Sequence, residues 1–391
     1  MKKPINTQGS ETLPSSSRFS PDVETLPKGK RPDLPFKSMH FKLRSKLSDL
    51  VERDMLELGK NKMILDKKYF RNAVLSAFED FKLKQNINPI HLNDILLKDL
   101  IKLDIRQLPP GVPWSRYRTK GEVMDCPEAR RSIRSFWHNV KRNKKIDPPH
   151  CKVSYRDRMI DIDVCKICAV YEYPATITFA EAQFALPLIE GFTQETTVLA
   201  YGYDIFCDDA TKLCRDKGCK YFGCFSFSDF DKTVSHQLIE YAFMILLQNI
   251  DFAEYKYYGI PYARQLYRVW EYLQEYFIET KLLFPNGRKL KKSAGIPNDS
   301  YFTQLIASIV NYIFLTYAWN TTHNFFCLPV HIKVFGDISV IASNEPINKF
   351  KIAEIIDECG MIINPLQSLV TSDVCEVESY LKRKIQLRRG F

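Results

Sequence analysis

Two aspartate-bearing turns stand at the ends of apolar, β-rich segments. Asp229 and Asp231 follow the stretch YFGCFSFS, and Asp337 follows Gly336 between the two β-rich halves of Val330 to Ser343. Carboxylates at the ends of central strands commonly hold divalent metal ions. Acidic residues before a helix also stabilise its amino end through the helix dipole, and a Gly-Asp turn between β-runs is usually a simple hairpin. On the residues alone, both interpretations stay open.

A glycine-proline loop and the segment after it, GIPNDSYFTQLIASIVN, form a second candidate site. Asp299 and Ser300 stand where a helix is capped, and an apolar helix with small polar side chains is predicted from Tyr301 onward. Glycine lets a backbone approach a ribose closely, and small polar groups can read its 2′-hydroxyl. A capped core helix has much the same pattern. The candidate nucleotide-binding residues in this stretch are Gly295, Ser300, Thr303 and Asn311.

A basic stretch precedes both of these candidate sites. It begins with LPPGVPWSRYRTK, a rigid Pro/Gly turn in which Trp114 is expected to be exposed, and acidic residues are sparse after it. Cations with aromatics among them are typical of channels that bind nucleic acid. A solvated helix face would look similar, and KRNKK could also be a nuclear-import run. The candidate nucleic-acid-binding residues are Arg116, Arg118, Lys120, Arg130, Arg131 and Arg134.

The composition of the whole chain agrees with such a partner. Its 391 residues carry a formal net charge of +10, which favours nucleic acid or an anionic surface, and 45% are hydrophobic, enough for a large core. The amino terminus lacks the apolar segment of a secretory signal, and no apolar run is long enough to cross a bilayer. We therefore expect a soluble, cytoplasmic protein that is not secreted and has no membrane partner.

Cysteine usage fits the same compartment. The 11 cysteines are expected to be mostly reduced and buried. Cys165 and Cys168 form a CxxC pair, but no second CxxC is present, so scattered buried thiols are favoured over a zinc site.

Apolar spacing predicts the elements that must position these residues. Residues Met1 to about Lys37 are rich in Pro, Ser and Thr and cannot bury enough apolar surface to fold alone. FPNGR predicts a hairpin turn, and the closing YLKRKIQLRRGF is expected to be basic and solvated. Helices are predicted within 39–106, from Val234, over Arg264 to Thr280, from Tyr301, and over Phe350 to Cys359.

The order of these motifs resembles the palm of viral RNA-dependent RNA polymerases, in detail of the partitivirus type. The resemblance runs from about Leu108 to Leu381. Its motifs are LPPGVPW with RTKGEV, the run YEYP…E…FALPLI, FSDFD, and above all IETKLLFPNGRKLKKSAGIPNDSYFTQLIASIVN. It implies an α+β fold: a right-hand polymerase palm, in which a small antiparallel sheet is backed by helices, with a mainly helical fingers-like region.

The resemblance also implies a domain order. Residues 1–38 would be a disordered or strap-like arm, 39–222 a fingers-like region and 223–391 a palm-like region. The helix at 260–285 would pack toward the fingers, and the thumb would be absent or truncated.

The same resemblance implies which residues would be catalytic. The family's first palm motif, DxSxFD, falls on Ser226 and Asp231, and its GDD reads Gly336, Asp337, Ile338. Asp231 and Asp337 would therefore hold Mg²⁺ or Mn²⁺. Ser226 and Ile338 replace carboxylates, and a neutral hydroxyl is too weak a ligand to offset the charge of two metal ions.

Further departures from the family pattern affect chemistry as well. Asn298 and Asp299 replace a small Ser-Gly pair near the expected phosphates, and Gln367 aligns with a lysine. The arginine of the nucleotide-entry strand falls at or near Cys168, which leaves Lys166 to contact the nucleotide alone.

We therefore expect a polymerase-like protein with impaired catalysis, a pseudoenzyme; a viral gene copy retained in a cellular genome is one origin that would explain it. Its partners would be an RNA template or duplex RNA, with nucleoside triphosphates and Mg²⁺ or Mn²⁺ only if it is active. The alternatives are an active RNA polymerase and a non-catalytic module that binds RNA or protein. RNA affinity that depends on salt, without nucleotide incorporation, would favour the RNA-binding module.

Overall fold

A computed structural model of the chain describes residues 66–97, 103–156, 168–323 and 331–389, all within one unit, Ser45–Phe391. The predicted arm at 1–38 and the candidate nucleotide contact Lys166 lie outside these residues. Twelve helices are described: α1 Lys67–Asp80, α2 Leu92–Leu97, α3 Lys120–Asp125, α4 Pro127–Lys141, α5 Ala175–Gln194, α6 Tyr203–Asp216, α7 Phe230–Thr233, α8 His236–Leu247, α9 Ala263–Ile278, α10 Thr303–His323, α11 Lys349–Glu358 and α12 Val374–Arg389. The strands are β1 Cys151–Arg156, β2 Cys168–Glu172, β3 Tyr221–Ser228, β4 Lys281–Leu283, β5 Lys289–Lys291, β6 His331–Phe335, β7 Ile338–Ser343, β8 Ile362–Ile363 and β9 Leu369–Thr371.

The central sheet contains the two aspartate-bearing turns. Its order is β6-β7-β3-β8, with β9 also pairing with β3, and every pairing is antiparallel. β7 is buried along its whole length, so it needs cover on both faces. α10 packs on β6 and β7, and α11 packs on β8 and α10. The predicted small antiparallel sheet backed by helices is therefore confirmed.

A second sheet joins distant parts of the sequence. Its order is β2-β1-β4-β5, with β1 and β4 parallel and the other pairs antiparallel. The FPNGR turn connects β4 and β5, as its sequence predicts. Because β4 pairs with β1, the segment after α9 is fixed to the region that precedes α5.

An aromatic cluster around Trp270 ties the helices together. The ring of Trp270 lies 5.4 Å from Phe184, 5.5 Å from Phe243 and 5.5 Å from Phe302, in edge-to-face geometry. These partners belong to α5, to α8 and to the turn just before α10. Such contacts add to the burial of the rings themselves, so the start of α10 is held by three helices.

One expectation is wrong, that Trp114 is exposed, and another, that the closing segment is solvated, holds for only one of its faces. Trp114 is only 6% exposed, and its Nε1 donates to Thr176 Oγ1 at 2.8 Å. The ring is buried because the Pro/Gly turn folds back against the start of α5. The closing basic segment belongs to α12, which packs on α6 through a buried stripe, Val377, Leu381 and Ile385. Only the other face of this amphipathic helix is solvated.

No helix within the described ranges is both long and apolar enough to span a membrane. The cysteines whose state is described there are all unpaired, and six of these eight are buried.

Candidate functional site

A cavity of about 260 Å³ opens where the β3–α7 turn, the β6–β7 hairpin and the start of α10 meet. Asp231 and Asp337, which are more than 100 positions apart in the sequence, both face it. The lining residues are Asp229, Phe230, Asp231, Ile296, Asn298, Thr303, Gln304, Ala307, Gly336 and Asp337.

The hairpin that presents Asp337 is fixed by α10. Gly336 has a φ of 59°, in the left-handed region that favours glycine. Its N–H donates to Ser308 Oγ at 2.8 Å, and its carbonyl accepts from Asn311 Nδ2 at 3.0 Å. A Cβ at position 336 would lie 2.4 Å from Gln304 Oε1. Asn311 is fully buried, so in this structure it supports the hairpin and does not line the cavity.

The turn that presents Asp231 is fixed by the glycine loop. The Asp231 carbonyl accepts from Ile296 N–H at 2.7 Å, and the Val234 carbonyl accepts from Gly295 N–H at 2.8 Å. Burial raises the pKa of the Asp231 carboxyl above its usual range, and repulsion from Asp229 and Asp337 adds to this shift. The positive charge of Lys232 opposes it. The cavity therefore disfavours the ionised form of the Asp231 carboxyl.

Asp229 has a different setting. It is exposed, has a φ of 47°, and lies 3.6 Å from Lys232 Nζ. Aspartate is one of the few residues other than glycine that tolerate this backbone conformation.

Ser226 and Ile338 are direct partners across the central sheet. They lie opposite each other in the antiparallel pairing of β3 and β7, so their side chains project on the same face, with Cβ atoms ~5 Å apart. Ser226 is half-buried, and Ile338 is 0% exposed. The two positions at which the family pattern has carboxylates therefore form one neighbouring pair, and a fully buried hydrocarbon occupies one of them.

The donor set does not fit the two-metal centre that the family pattern implies. Across the described residues, no group of three or more His, Cys, Asp or Glu side chains could hold a metal ion. Asp231 and Asp337 share a cavity, but Ser226 offers only a hydroxyl and Ile338 offers no ligand atom. Hard divalent ions require several oxygen ligands that converge on one point; Asp229, Asp231 and Asp337 line the cavity but do not form such a group.

A buried carboxyl group caps α10 from another helix. Glu181 of α5 is 0% exposed; its Oε1 accepts from Ser300 Oγ at 2.7 Å and its Oε2 from Tyr301 N–H at 3.0 Å. Ser300 Oγ in turn accepts from Phe302 N–H at 3.1 Å. Ser300 and Glu181 together satisfy N–H groups at the entry to the helix.

On the other side of the loop, Lys292 Nζ donates to the Gly295 carbonyl, and burial lowers the pKa of Lys292 to about 7. Of the four candidate nucleotide contacts in this stretch, Thr303 lines the cavity, whereas Gly295 and Ser300 fix the loop.

Neither Glu181 nor Lys292 was among the candidate site residues, although Glu181 is the E of the motif YEYP…E…FALPLI. A signal existed for Glu181, since it is the lone charge in the apolar run ITFAEAQFALPL. An isolated charge in a buried stretch needs a buried partner. No such signal marks Lys292, which lies among other basic residues.

Glu181 should make stability depend on pH. Burial raises its pKa from the ordinary 4.5 to about 8, against hydrogen bonds from Ser300 and Tyr301 that lower it. The folded state thus holds this proton more tightly than the unfolded chain. Its stabilising contribution is complete below pH 4.5 and is lost as the pH rises through about 8. The slope has an upper limit of ~1.4 kcal/mol per pH unit.

Urea unfolding of the unmodified chain and of Glu181→Gln at several pH values between about 5 and 8 measures this contribution. Glutamine keeps the shape and cannot titrate, so the stability advantage of the unmodified chain should shrink as the pH rises. Parallel stability curves for the two proteins would show that Glu181 titrates as it does in the unfolded chain.

The candidate nucleic-acid contacts are placed unequally. Arg116, Arg118 and Arg131 are exposed, and Arg131 pairs with Glu128 at 2.9 Å. Arg130 and Arg134 are half-buried. Lys120 is 0% exposed and its Nζ donates to the Pro109 carbonyl at 2.9 Å. It stabilises the turn before α3 and is not part of a surface, a correction to its predicted place among the nucleic-acid contacts.

Comparisons with known proteins decide the family. A model described as viral RNA-dependent RNA polymerase matches residues 110–391. The chain belongs to the viral RNA-dependent RNA polymerase family. The family predicted from the motifs is thereby confirmed. This polymerase-family chain is 27% identical over 267 residues to the RNA-directed RNA polymerase of Cryptosporidium parvum virus 1 (strain KSU-1), a match that covers 64% of the chain and 48% of that protein. It thus spans about half the length of this relative.

Solved viral RNA-dependent RNA polymerases share the fold. The human picobirnavirus enzyme superposes with a TM-score of 0.60 at 16% identity, over 84% of this chain and 59% of that one. Its insertion loop deletion mutant gives 0.58 at 14% identity, over 86% and 68%. The predicted right-hand polymerase fold is confirmed. At these identities the likeness shows the fold alone, so the activity of this polymerase-family chain must be argued from its own residues.

Proposed function

We propose that this chain is a viral RNA polymerase module that binds RNA but is strongly impaired in nucleotidyl transfer. The observation that supports the proposal is the Ser226–Ile338 pair, a hydroxyl and a fully buried hydrocarbon opposite each other in the central sheet. In this proposal residues 223–391 serve as the palm and 39–222 as the fingers.

The loss expected at the reaction centre is large. In templated RNA synthesis a hydroxyl attacks a phosphate. Metal ions held by carboxylates stabilise the attacking and leaving oxygens. Electrostatic groups of this kind are worth factors of ~10²–10³ in rate for each one removed. Asp231 and Asp337 still face the cavity, but without metal ions to offset their charge they repel the anionic phosphates of a nucleoside triphosphate.

RNA binding relies on the exposed cations of the fingers. Arg118 and Arg131 stand on the surface before and within the α3–α4 pair, and Arg116 lies 4.8 Å from the ring centroid of Tyr117. This cation–aromatic arrangement suits phosphate and base contacts. The partner we propose is an RNA template or duplex RNA.

Salt titrations of RNA affinity test this surface. In Arg118→Ala/Arg131→Ala, two phosphate contacts are lost, so the slope of log affinity against log salt should become shallower by ~1.4 for single-stranded RNA. Lys351→Ala/Lys382→Ala removes the same charge from two exposed sites on α11 and α12 and should leave the slope unchanged. Equal slopes in all three proteins would refute RNA binding through this surface.

A further inference from the structure

An exposed aromatic loop projects from the chain between α8 and α9. Four of its large side chains are mostly in solvent: Tyr257 at 50%, Tyr258 at 63%, Ile260 at 84% and Tyr262 at 80%. Scattered single exposed apolar residues are ordinary, but a cluster of this density within six positions marks an interaction surface. None of these residues lines the cavity that contains Asp231 and Asp337.

This aromatic loop, residues 255–262, is held in one shape. Lys256 N–H donates to the Pro89 carbonyl at 2.9 Å, and Tyr258 Oη donates to Asp94 Oδ1 at 3.0 Å. Gly259 takes a φ of 93°, which permits the tight turn. A surface fixed in this way loses little conformational entropy when it binds a partner.

The carboxy-terminal end of α4 lies next to the loop and is strongly basic. The ring of His91 meets Tyr255 at a centroid distance of 4.8 Å. Burial and then the positive charge of Lys141 lower the pKa of that histidine, so Lys141 lies within electrostatic range. On the other side, Arg268 of α9 donates from Nη1 to the Lys141 carbonyl at 2.9 Å.

Exposed cations follow directly after α4. Arg142, Lys144 and Lys145 are all exposed, and no acidic residue stands between Arg142 and Lys145. The His91–Tyr255 contact and the Arg268–Lys141 hydrogen bond join the loop and α9 to the end of α4. Exposed aromatic side chains and exposed cations therefore flank one set of contacts, a combination found where bases stack and phosphates are neutralised.

We propose that the aromatic loop and the end of α4 form a separate docking surface for single-stranded RNA. Bases stack on Tyr257 and Tyr262, and the backbone phosphates contact Arg142, Lys144 and Lys145. Duplex RNA fits less well, because its bases are stacked on one another and present no free face. This surface is separate from the Arg116, Arg118 and Arg131 cations and does not depend on the state of the catalytic residues.

The test is direct binding of a fluorescent oligouridine strand and of a matched RNA duplex to the full chain. Tyr257→Ser/Tyr262→Ser should weaken oligouridine binding about tenfold or more, because each stacked base contributes substantially to affinity. The slope of log affinity against log salt for this variant should stay unchanged, since no phosphate contact is removed. Duplex affinity should change by less than about twofold, as stacking takes no part in duplex recognition.

Three controls separate stacking from other causes. Tyr257→Phe/Tyr262→Phe keeps both rings and should bind the oligouridine like the unmodified chain. Phe350→Ser removes an aromatic ring that is 59% exposed on α11 and should have no effect. Arg142→Ala/Lys144→Ala/Lys145→Ala should make the salt slope shallower by ~2.

Unchanged oligouridine affinity in the tyrosine-to-serine variant would overturn the proposal. Equal losses for oligouridine and duplex, or an equal loss in Phe350→Ser, would overturn it too. None of these readouts involves nucleotide incorporation, so the result is independent of whether the chain proves to be catalytically impaired.

Discussion

Ser226→Asp should raise templated nucleotide incorporation by ~10²–10³-fold over the unmodified chain. Position 226 is half-buried on β3, beside the turn that carries Asp231. A carboxylate there restores the charged ligand that the family motif DxSxFD has at this position. The gain comes from electrostatic stabilisation of the reaction centre, since the fold around the position is already present.

The matched control is Ser226→Asn, which has nearly the same size as aspartate but no charge. Primer extension on a short primed RNA template, with either Mg²⁺ or Mn²⁺, measures both variants beside the unmodified chain. Ser226→Asn should stay at the level of the unmodified chain. Equal gains in the asparagine and aspartate variants would show that polarity or size at position 226, and not charge, limits the reaction.

Ile338→Asp should destabilise the fold by ~3–5 kcal/mol, the cost of leaving a buried charge uncompensated. Ile338 is 0% exposed, at the start of a strand that is buried throughout. Ile338→Val keeps the hydrocarbon and should cost only ~0.5–1.5 kcal/mol. Urea unfolding of the three proteins gives the free energies.

A second outcome is informative at the same position. If Ile338→Asp were as stable as Ile338→Val, water would reach position 338 and the site would lie open to a metal ion. If the Ile338→Asp variant is unstable, activity must first be restored at position 226, because Ser226→Asp adds its charge at a half-buried position. The combined variant would then inherit the instability of Ile338→Asp.

Local patterns in the sequence predict the main elements of the palm. Apolar, β-rich runs locate β3, β6 and β7, the helical stripes locate α8 to α11, and the Gly-Asp dipeptide marks the hairpin. These features depend on local periodicity and turn chemistry, which a single sequence records. The shared position of Asp231 and Asp337 is implied by the family resemblance, since the strand ends alone leave a metal site and simple turns equally open.

Burial of individual polar residues could not be read in the same way. Lys120 stands in a run of surface cations yet is fully buried, and Trp114 stands in a Pro/Gly turn yet packs under α5. Ser300 looks like a nucleotide contact, but Glu181, more than 100 positions earlier in the chain, accepts its hydroxyl hydrogen bond. Each outcome is set by a tertiary partner, and the local sequence does not specify that partner.

Asn311 shows how one pattern can serve two roles. The helix that contains it has the small polar residues expected beside a ribose, yet its amide donates to the Gly336 carbonyl and positions Asp337. The helix is therefore a scaffold for the hairpin in this structure. This helix contributes to the cavity by fixing the position of Asp337, whatever chemistry that carboxylate performs.

Single-nucleotide incorporation by the unmodified chain tests the central claim most directly. The chain is compared with Asp231→Asn/Asp337→Asn, in which two of the three aspartates that line the cavity are neutral, on one primed RNA template with labelled nucleotide. Impaired catalysis predicts that the two proteins give the same background incorporation while both still bind the RNA. Robust templated incorporation by the unmodified chain that disappears in the double variant would contradict it.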